Sequence, residues 1–311
     1  MTISLDNALT GISGILVTPY DAEGRIAPER LGPILDRALG AGMHLPVING
    51  NTSEFYALTT DEACTMVHEV VGLVADRAPV LAGVGRAIGD ARRLARASAD
   101  AGAAGLMIHQ PPDPFVAARG VVDYLKAVAD ASGGLPMMLY LRNDAIGTAA
   151  IADLCAVPGV RGVKWATPNP LRLAEAKAAC DPSIVWVGGL AEVWAPIFYA
   201  VGARGFTSGL VNVWPERSLA IHRALEAGNY RDASELIAGM KAFEDIRAEE
   251  MNGANVSVVK AALQALGLDC GSTRPPSAWP LTPAQKAKLH EFLGDRALGA
   301  QVELRRDIQV K

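Results

Sequence analysis

Residues 79–109 read PVLAGVGRAIGDARRLARASADAGAAGLMIH. An apolar run begins at Pro79, an Ala-rich amphipathic stretch covers Gly89–Ala101, and a second apolar run begins near Ala104. Neither run alternates cleanly between polar and apolar residues, as expected of strands covered on both faces in a parallel sheet. Ala101-Gly102 suits a helix C-cap between the two. The stretch predicts strand, helix, strand.

The same unit recurs in both directions. Further apolar runs begin near Gly11, Leu45, Pro136, Val160, Ile184 and Ala203. Helical stretches separate them, among them Pro28–Gly40, Thr60–Ala75 and Gly120–Ala131. Thr60-Asp61-Glu62 offers a cap and first-turn acids. Ala41-Gly42 and Gly202-Ala203 repeat the small-residue ending. Eight such units over residues 1–213 predict an α/β fold, a (β/α)₈ TIM barrel. A doubly wound open sheet is the alternative, and the even eightfold count argues against it. After Val213 the pattern is helical only, with stretches Pro215–Glu226, Tyr230–Asn252 and Ser257–Leu266 and a last helix from Thr282. Residues 214–311 are expected to form a C-terminal helical region packed on the barrel. The charged tail Gly299–Lys311 reads as an exposed arm.

The chain has 311 residues, half of them hydrophobic and 20% charged, with a mean hydropathy of +0.20. That excludes a disordered chain. The length fits two average domains or one barrel of ~250 residues with an appendage. Net charge is -4 with no basic stripe, which argues against nucleic acid or an anionic membrane as partner. No apolar run reaches the ~18 residues of a membrane span. The N-terminus lacks the pattern of a signal peptide. Cys64, Cys155, Cys180 and Cys270 are scattered and form no C-x-x-C. The expectation is a reduced, cytoplasmic protein with incidental thiols.

In such barrels chemistry sits at the carboxyl ends of the strands. The polar residues there are Thr18, Asn49 to Glu54, His109-Gln110, Tyr140 with Arg142, Lys164, Gly188-Gly189 and Thr207-Ser208. Lys164 ends the apolar run R-G-V-K-W-A, whereas the other lysines lie on helical stretches or the tail. Loss of solvation there lowers the pKa of an amine, and a neutral amine can attack a ketone to form a Schiff base. Position alone leaves a second reading open, a strand-capping lysine paired with an acid. Tyr140 ends the preceding strand, and a phenol there could shuttle protons for the amine, or simply pack. The turn Gly50–Glu54 offers hydroxyls and N–H groups before a helix, suited to a carboxylate or to ordinary capping. His109 could touch a ligand or pack. Asp61, Glu62 and Asp76 read as solvated helix charges.

Other chemistries lack their motifs. Gly83-Val84-Gly85 is followed next by Gly89, so G-x-G-x-x-G fails, and with it dinucleotide binding. There is no P-loop and no G-x-S-x-G elbow. The five histidines have no metal-ligand spacing. No cofactor and no metal are expected.

Together these residues resemble the dihydrodipicolinate synthase / N-acetylneuraminate lyase family of Schiff-base lyases, from about Gly11 to Pro276. The pieces are V-T-P-Y at 17–20, G-N-T-S-E-F-Y-A-L-T at 50–59, Tyr140, G-V-K at 162–164, G-G at 188–189 and G-A-R-G-F-T-S-G at 202–209. The resemblance implies that Lys164 forms the imine and Tyr140 relays protons. It places Asn51 and Thr52 where paired threonines hold a 2-keto-acid carboxylate. Thr52 keeps the type and Asn51 does not. It also puts Gly189, Thr207 and Ser208 among the substrate-binding positions, and it implies a homo-oligomer, a dimer or tetramer.

The departures bear on substrate. Where the synthase has a tyrosine pair after strand 4, this chain reads Gln110-Pro111-Pro112-Asp113. Its entrance arginine, five residues past the strand 5 tyrosine, is replaced by Ala145. Tyr140-Leu141-Arg142-Asn143-Asp144 and E-F-Y-A-L-T look more like the family's 5-dehydro-4-deoxyglucarate dehydratases. The expectation is dehydration or aldol cleavage of a keto-deoxy sugar acid, with Arg142 pairing a distal carboxylate. The alternatives are a dihydrodipicolinate synthase condensing pyruvate with aspartate semialdehyde, and a non-catalytic barrel that binds a 2-keto acid.

Overall fold

The structure is a computed structural model and describes residues 4–113, 115–278 and 280–294. The expected arm at Gly299–Lys311 lies outside the described residues. Eight parallel strands close into one barrel in sequence order. They are β1 (Ile12–Ile15), β2 (Leu45–Ile48), β3 (Leu81–Val84), β4 (Gly105–His109), β5 (Met137–Leu141), β6 (Val160–Trp165), β7 (Val185–Gly188) and β8 (Phe206–Ser208). A short helix α1 (Leu5–Leu9) precedes them. The helices between strands are α2 (Gly32–Ala41), α3 (Thr60–Val74), α4 (Ile88–Ala101), α5 (Ala118–Ala131), α6 (Thr148–Cys155), α7 (Pro170–Ala179) and α8 (Ala191–Ala200). Then follow α9 (Pro215–Glu226), α10 (Tyr230–Ala238), α11 (Lys241–Ala248), α12 (Asn255–Ala265) and α13 (Pro283–Gly294). No helix among the described residues is long and apolar enough to cross a membrane.

Burial explains the unbroken apolar runs. The strands carry one buried set inside the barrel, including Ile15, Val47, Met107, Met138, Tyr140 and Val187. The alternate residues, such as Ile108, Leu139, Val163 and Trp165, join the larger core beneath the helices. Ala8 and Leu9 of α1 belong to the inner set, so that helix plugs one end of the barrel. The other end, where β4 finishes in His109 and β5 and β6 carry Tyr140 and Lys164 one residue before their ends, is left for polar groups.

Two local expectations need correction. Helix α3 is capped by Thr59, one residue earlier than expected, because Thr59 and Glu62 form a reciprocal capping box. The stretch Tyr230–Asn252 is two helices, α10 and α11, broken at Gly239-Met240. Positive φ at Glu250, Met251 and Asn252 then carries the chain out of helical geometry. The break re-aims the apolar face, so that Ala233 and Ile237 are buried on one helix and Phe243 and Ile246 on the next. Phe243 packs on Phe292 of α13 at 5.3 Å, and both share one core cluster with the barrel helices.

Candidate active site

The sheet register sets Lys164 of β6 between Tyr140 of β5 and Val187 of β7, with His109 of β4 one strand further. Lys164 is 3% exposed, and its amine lies 3.8 Å from the centroid of the Tyr140 ring. Among the described residues no carboxylate pairs with it. Burial, and then the positive charge of Arg142, push its pKa down to about 7. A large fraction is therefore a neutral, nucleophilic amine at neutral pH.

Tyr140 is buried as well, and burial pushes its phenol up to about 12, so it keeps its proton at neutral pH. Asn51 Nδ2 donates to the phenol oxygen at 2.9 Å. That leaves the phenol proton free to be given to a group at the Lys164 amine.

Asn51 and Thr52 lie in a tight turn after β2. Ser53 Oγ accepts from Gly50 N–H at 3.1 Å and donates to the Leu16 carbonyl at 2.6 Å. Thr18, on the sequence list of strand-end polar groups, holds the turn by donating to the Ser53 carbonyl at 2.7 Å. Among the described residues nothing accepts from the backbone N–H groups of Asn51 and Thr52 or pairs with the buried Thr52 hydroxyl. Such a set of unengaged donors can receive a carboxylate.

Gly189 is half-buried after β7, but its N–H already donates to the Trp165 carbonyl at 2.7 Å. A Cβ there would lie 2.7 Å from that same oxygen, so glycine is required by the close approach of β6. Thr207 is buried on β8, in register with Ser13. Ser208 is a correction. Successive residues of a strand face opposite sides, and Ser208 points outward, away from the barrel interior. Its hydroxyl donates to Glu192 Oε1 of α8 at 2.6 Å and accepts from Val211 N–H at 2.9 Å. It takes no place beside Lys164.

Arg142 is exposed at the rim, with no carboxylate partner among the described residues. A cavity of about 520 Å³ opens there, lined by Tyr56, His109, Gln110, Tyr140, Arg142 and apolar residues of α5 and α6. His109 is buried, stacked on Phe55 at 4.4 Å, with Nε2 2.8 Å from the Asn49 carbonyl. Burial holds it neutral by pushing its pKa down to about 3. The Gly83-Val84-Gly85 pattern has its reason here. A Cβ on Gly83 would lie 2.0 Å from the Asn49 oxygen, and one on Gly85 3.0 Å from His109.

Sequence reasoning missed the support behind the turn. Glu54 is buried beside Thr52, 2.6 Å from the amine of Lys260 on α12, and its Oε2 accepts from Arg274 N–H at 2.7 Å. Glu62 is not a solvated helix charge. It pairs with the Arg274 guanidinium at 2.7 Å, and that hydrogen bond pulls its carboxyl down to about 2. The T-x-x-E spacing at 59–62 was the available signal. Among the described residues no group of three or more His, Cys, Asp or Glu side chains could hold a metal ion.

The sequence profile described as the Dihydrodipicolinate synthetase family matches residues 8–295. The chain is 30% identical over 251 residues to a Rhizobium rhizogenes protein named a probable 5-dehydro-4-deoxyglucarate dehydratase, covering 78% of this chain and 81% of that one. It is 33% identical over 285 residues to 4-hydroxy-tetrahydrodipicolinate synthase 1 of Streptomyces coelicolor, covering 89% and 91%. Among solved structures, a dihydrodipicolinate synthase from Oceanobacillus iheyensis superposes with a TM-score of 0.89 at 36% identity, covering 93% of this chain and 97% of that one.

Proposed function

This chain belongs to the dihydrodipicolinate synthetase family, whose members are lyases, and we propose that it works through a Schiff base on Lys164 with a 2-keto acid. One observation carries the reading: a buried amine with no counter-ion among the described residues, set against the phenol ring of Tyr140. The carboxylate of the substrate docks at the free donors of Asn51 and Thr52. The neutral amine adds to the C2 carbonyl, and the nitrogen gives up a proton as the carbinolamine forms. Tyr140 protonates the carbinolamine hydroxyl, which leaves as water. The iminium draws electrons from C3, so a C3 proton departs and an enamine forms. That enamine expels the C4 hydroxyl, which leaves as water once protonated, giving dehydration. In the aldolase alternative the C4 hydroxyl of the iminium loses its proton instead, the C3–C4 bond breaks into the iminium, and an aldehyde departs as the enamine forms.

The substrate favoured is a keto-deoxy sugar acid, with Arg142 pairing a distal carboxylate. The Rhizobium rhizogenes relative and the motif around Tyr140 and Arg142 support this choice. The Streptomyces coelicolor relative favours a second reading, condensation of pyruvate with aspartate semialdehyde. Assays of both reactions separate the two. Four free cysteines fit a reduced, cytoplasmic setting, and the family resemblance supports a dimer or tetramer. The test is borohydride reduction in the presence of pyruvate, read by intact mass. One adduct is expected on the wild-type chain and none on Lys164→Ala. No adduct, or one that survives the substitution, removes the proposal.

A further inference from the structure

Gln110 directly follows β4, and Arg142 and Asn143 directly follow β5. The backbone N–H of Gln110 donates to the Tyr140 carbonyl at 3.2 Å, extending the ladder past the strand end. Its side-chain Oε1 then accepts from Arg142 N–H at 2.7 Å and from Asn143 N–H at 2.9 Å. One residue thus makes three hydrogen bonds to the segment 140–143. The carboxylates close by in sequence have other partners: Asp113 accepts from Phe115 N–H at 2.8 Å, and Asp144 accepts from Asn169 at 3.2 Å. Among the described residues the Arg142 guanidinium has no carboxylate partner, and it stands at the rim near enough to Lys164 to act on its charge.

We propose that Gln110 is a positioning residue for substrate choice: it clamps the β5 loop so that Arg142 presents its guanidinium to a second anionic group, at the far end of a 2-keto dicarboxylate. This rests on the Schiff-base reading above. An arginine stem has large rotamer freedom, and anchoring its backbone reduces what must be ordered when the anion binds. A mobile loop would leave the cation on average too far from a substrate tethered at Lys164. The proposal makes Gln110 matter for one class of keto acid and not another.

The experiment uses the full chain and measures half-saturation for borohydride trapping with two probes, pyruvate and 5-dehydro-4-deoxyglucarate. Trapping does not require turnover. Arg142→Ala is expected to raise half-saturation for the dicarboxylate about 10-fold or more relative to pyruvate, the pyruvate arm reading what the lost charge does to the Lys164 amine itself. Gln110→Met, similar in length but without the acceptor, is expected to raise it about 3- to 10-fold for the dicarboxylate only. Added to Arg142→Ala, it should have no further effect. A shift common to both probes, a shift that persists without Arg142, or no shift where Arg142→Ala has one, overturns the role of Gln110. An Arg142→Ala chain that binds the dicarboxylate normally overturns the role of Arg142, and of Gln110 with it. Absence of any adduct on the wild-type chain instead removes the Schiff-base reading.

Discussion

Two lysines of this protein, Lys164 and Lys260, are each 3% exposed, and each amine lies over a tyrosine ring, 3.8 Å from the centroid of Tyr140 and 4.1 Å from that of Tyr20. They differ in what faces the charge. The Lys260 amine has Glu54 at 2.6 Å and donates to the Ser272 carbonyl at 2.9 Å. Burial pushes its pKa down and Glu54 pulls it back up. Lys164 has no such partner among the described residues, and the charge that acts on it, Arg142, has the same sign. A buried lysine with a carboxylate is a tie between parts of the fold. A buried lysine without one keeps a neutral amine, which the proposed function uses as its nucleophile. The two are joined, because the Glu54 that neutralises Lys260 belongs to the turn that carries Asn51 and Thr52.

The sharpest way to break this contrast is to replace each lysine by methionine. Lys260→Met leaves Glu54 buried with the Arg274 N–H but without its ammonium partner, and should destabilise by about 3–5 kcal/mol in denaturant melts. The double variant with Glu54→Gln should recover most of that loss. Lys164→Met should abolish activity yet leave stability equal or higher. The reason is that the folded-state pKa, about 7, lies below the unfolded value of 10.5. Between these values the unfolded chain binds more protons, so wild-type stability gains from this group as pH rises. The penalty is complete below about pH 7 and fades towards 10.5, and Lys164→Met should lack that slope. Equal losses from the two methionine variants would erase the distinction.

A smaller effect concerns the two tyrosines beneath the amines. Tyr140→Phe keeps the ring under Lys164 and removes the proton, so kcat should fall by about 10²- to 10⁴-fold with little change in melting temperature. Tyr20→Phe, under the structural lysine, should leave kcat within about twofold of wild type. Loss of kcat in both would mean that the phenol at Tyr140 has no special part.

The barrel was legible because eight doubly covered strands impose eight apolar runs. Lys164 was legible for the same reason, as a charge that such a run cannot hold without penalty. That same continuity concealed which way each strand-end residue faces. Thr207 and Ser208 read alike until the register turned Ser208 outward to Glu192. The support behind the turn was hidden for another reason. Arg274 is 220 positions from Glu54 and 212 from Glu62, and no local pattern links residues so far apart. The break between α10 and α11 was missed because both halves carry helix formers, and tertiary packing decides where the apolar face changes direction.

The most direct measurement is the pH dependence of pyruvate trapping by borohydride, read by peptide mapping at Lys164 and Lys260 together. The adduct should form on Lys164, at a rate that rises through a midpoint of about 7, with none on Lys260. A midpoint near the ordinary lysine value of about 10.4, or an adduct on another residue, would contradict the assignment of Lys164 as the nucleophile.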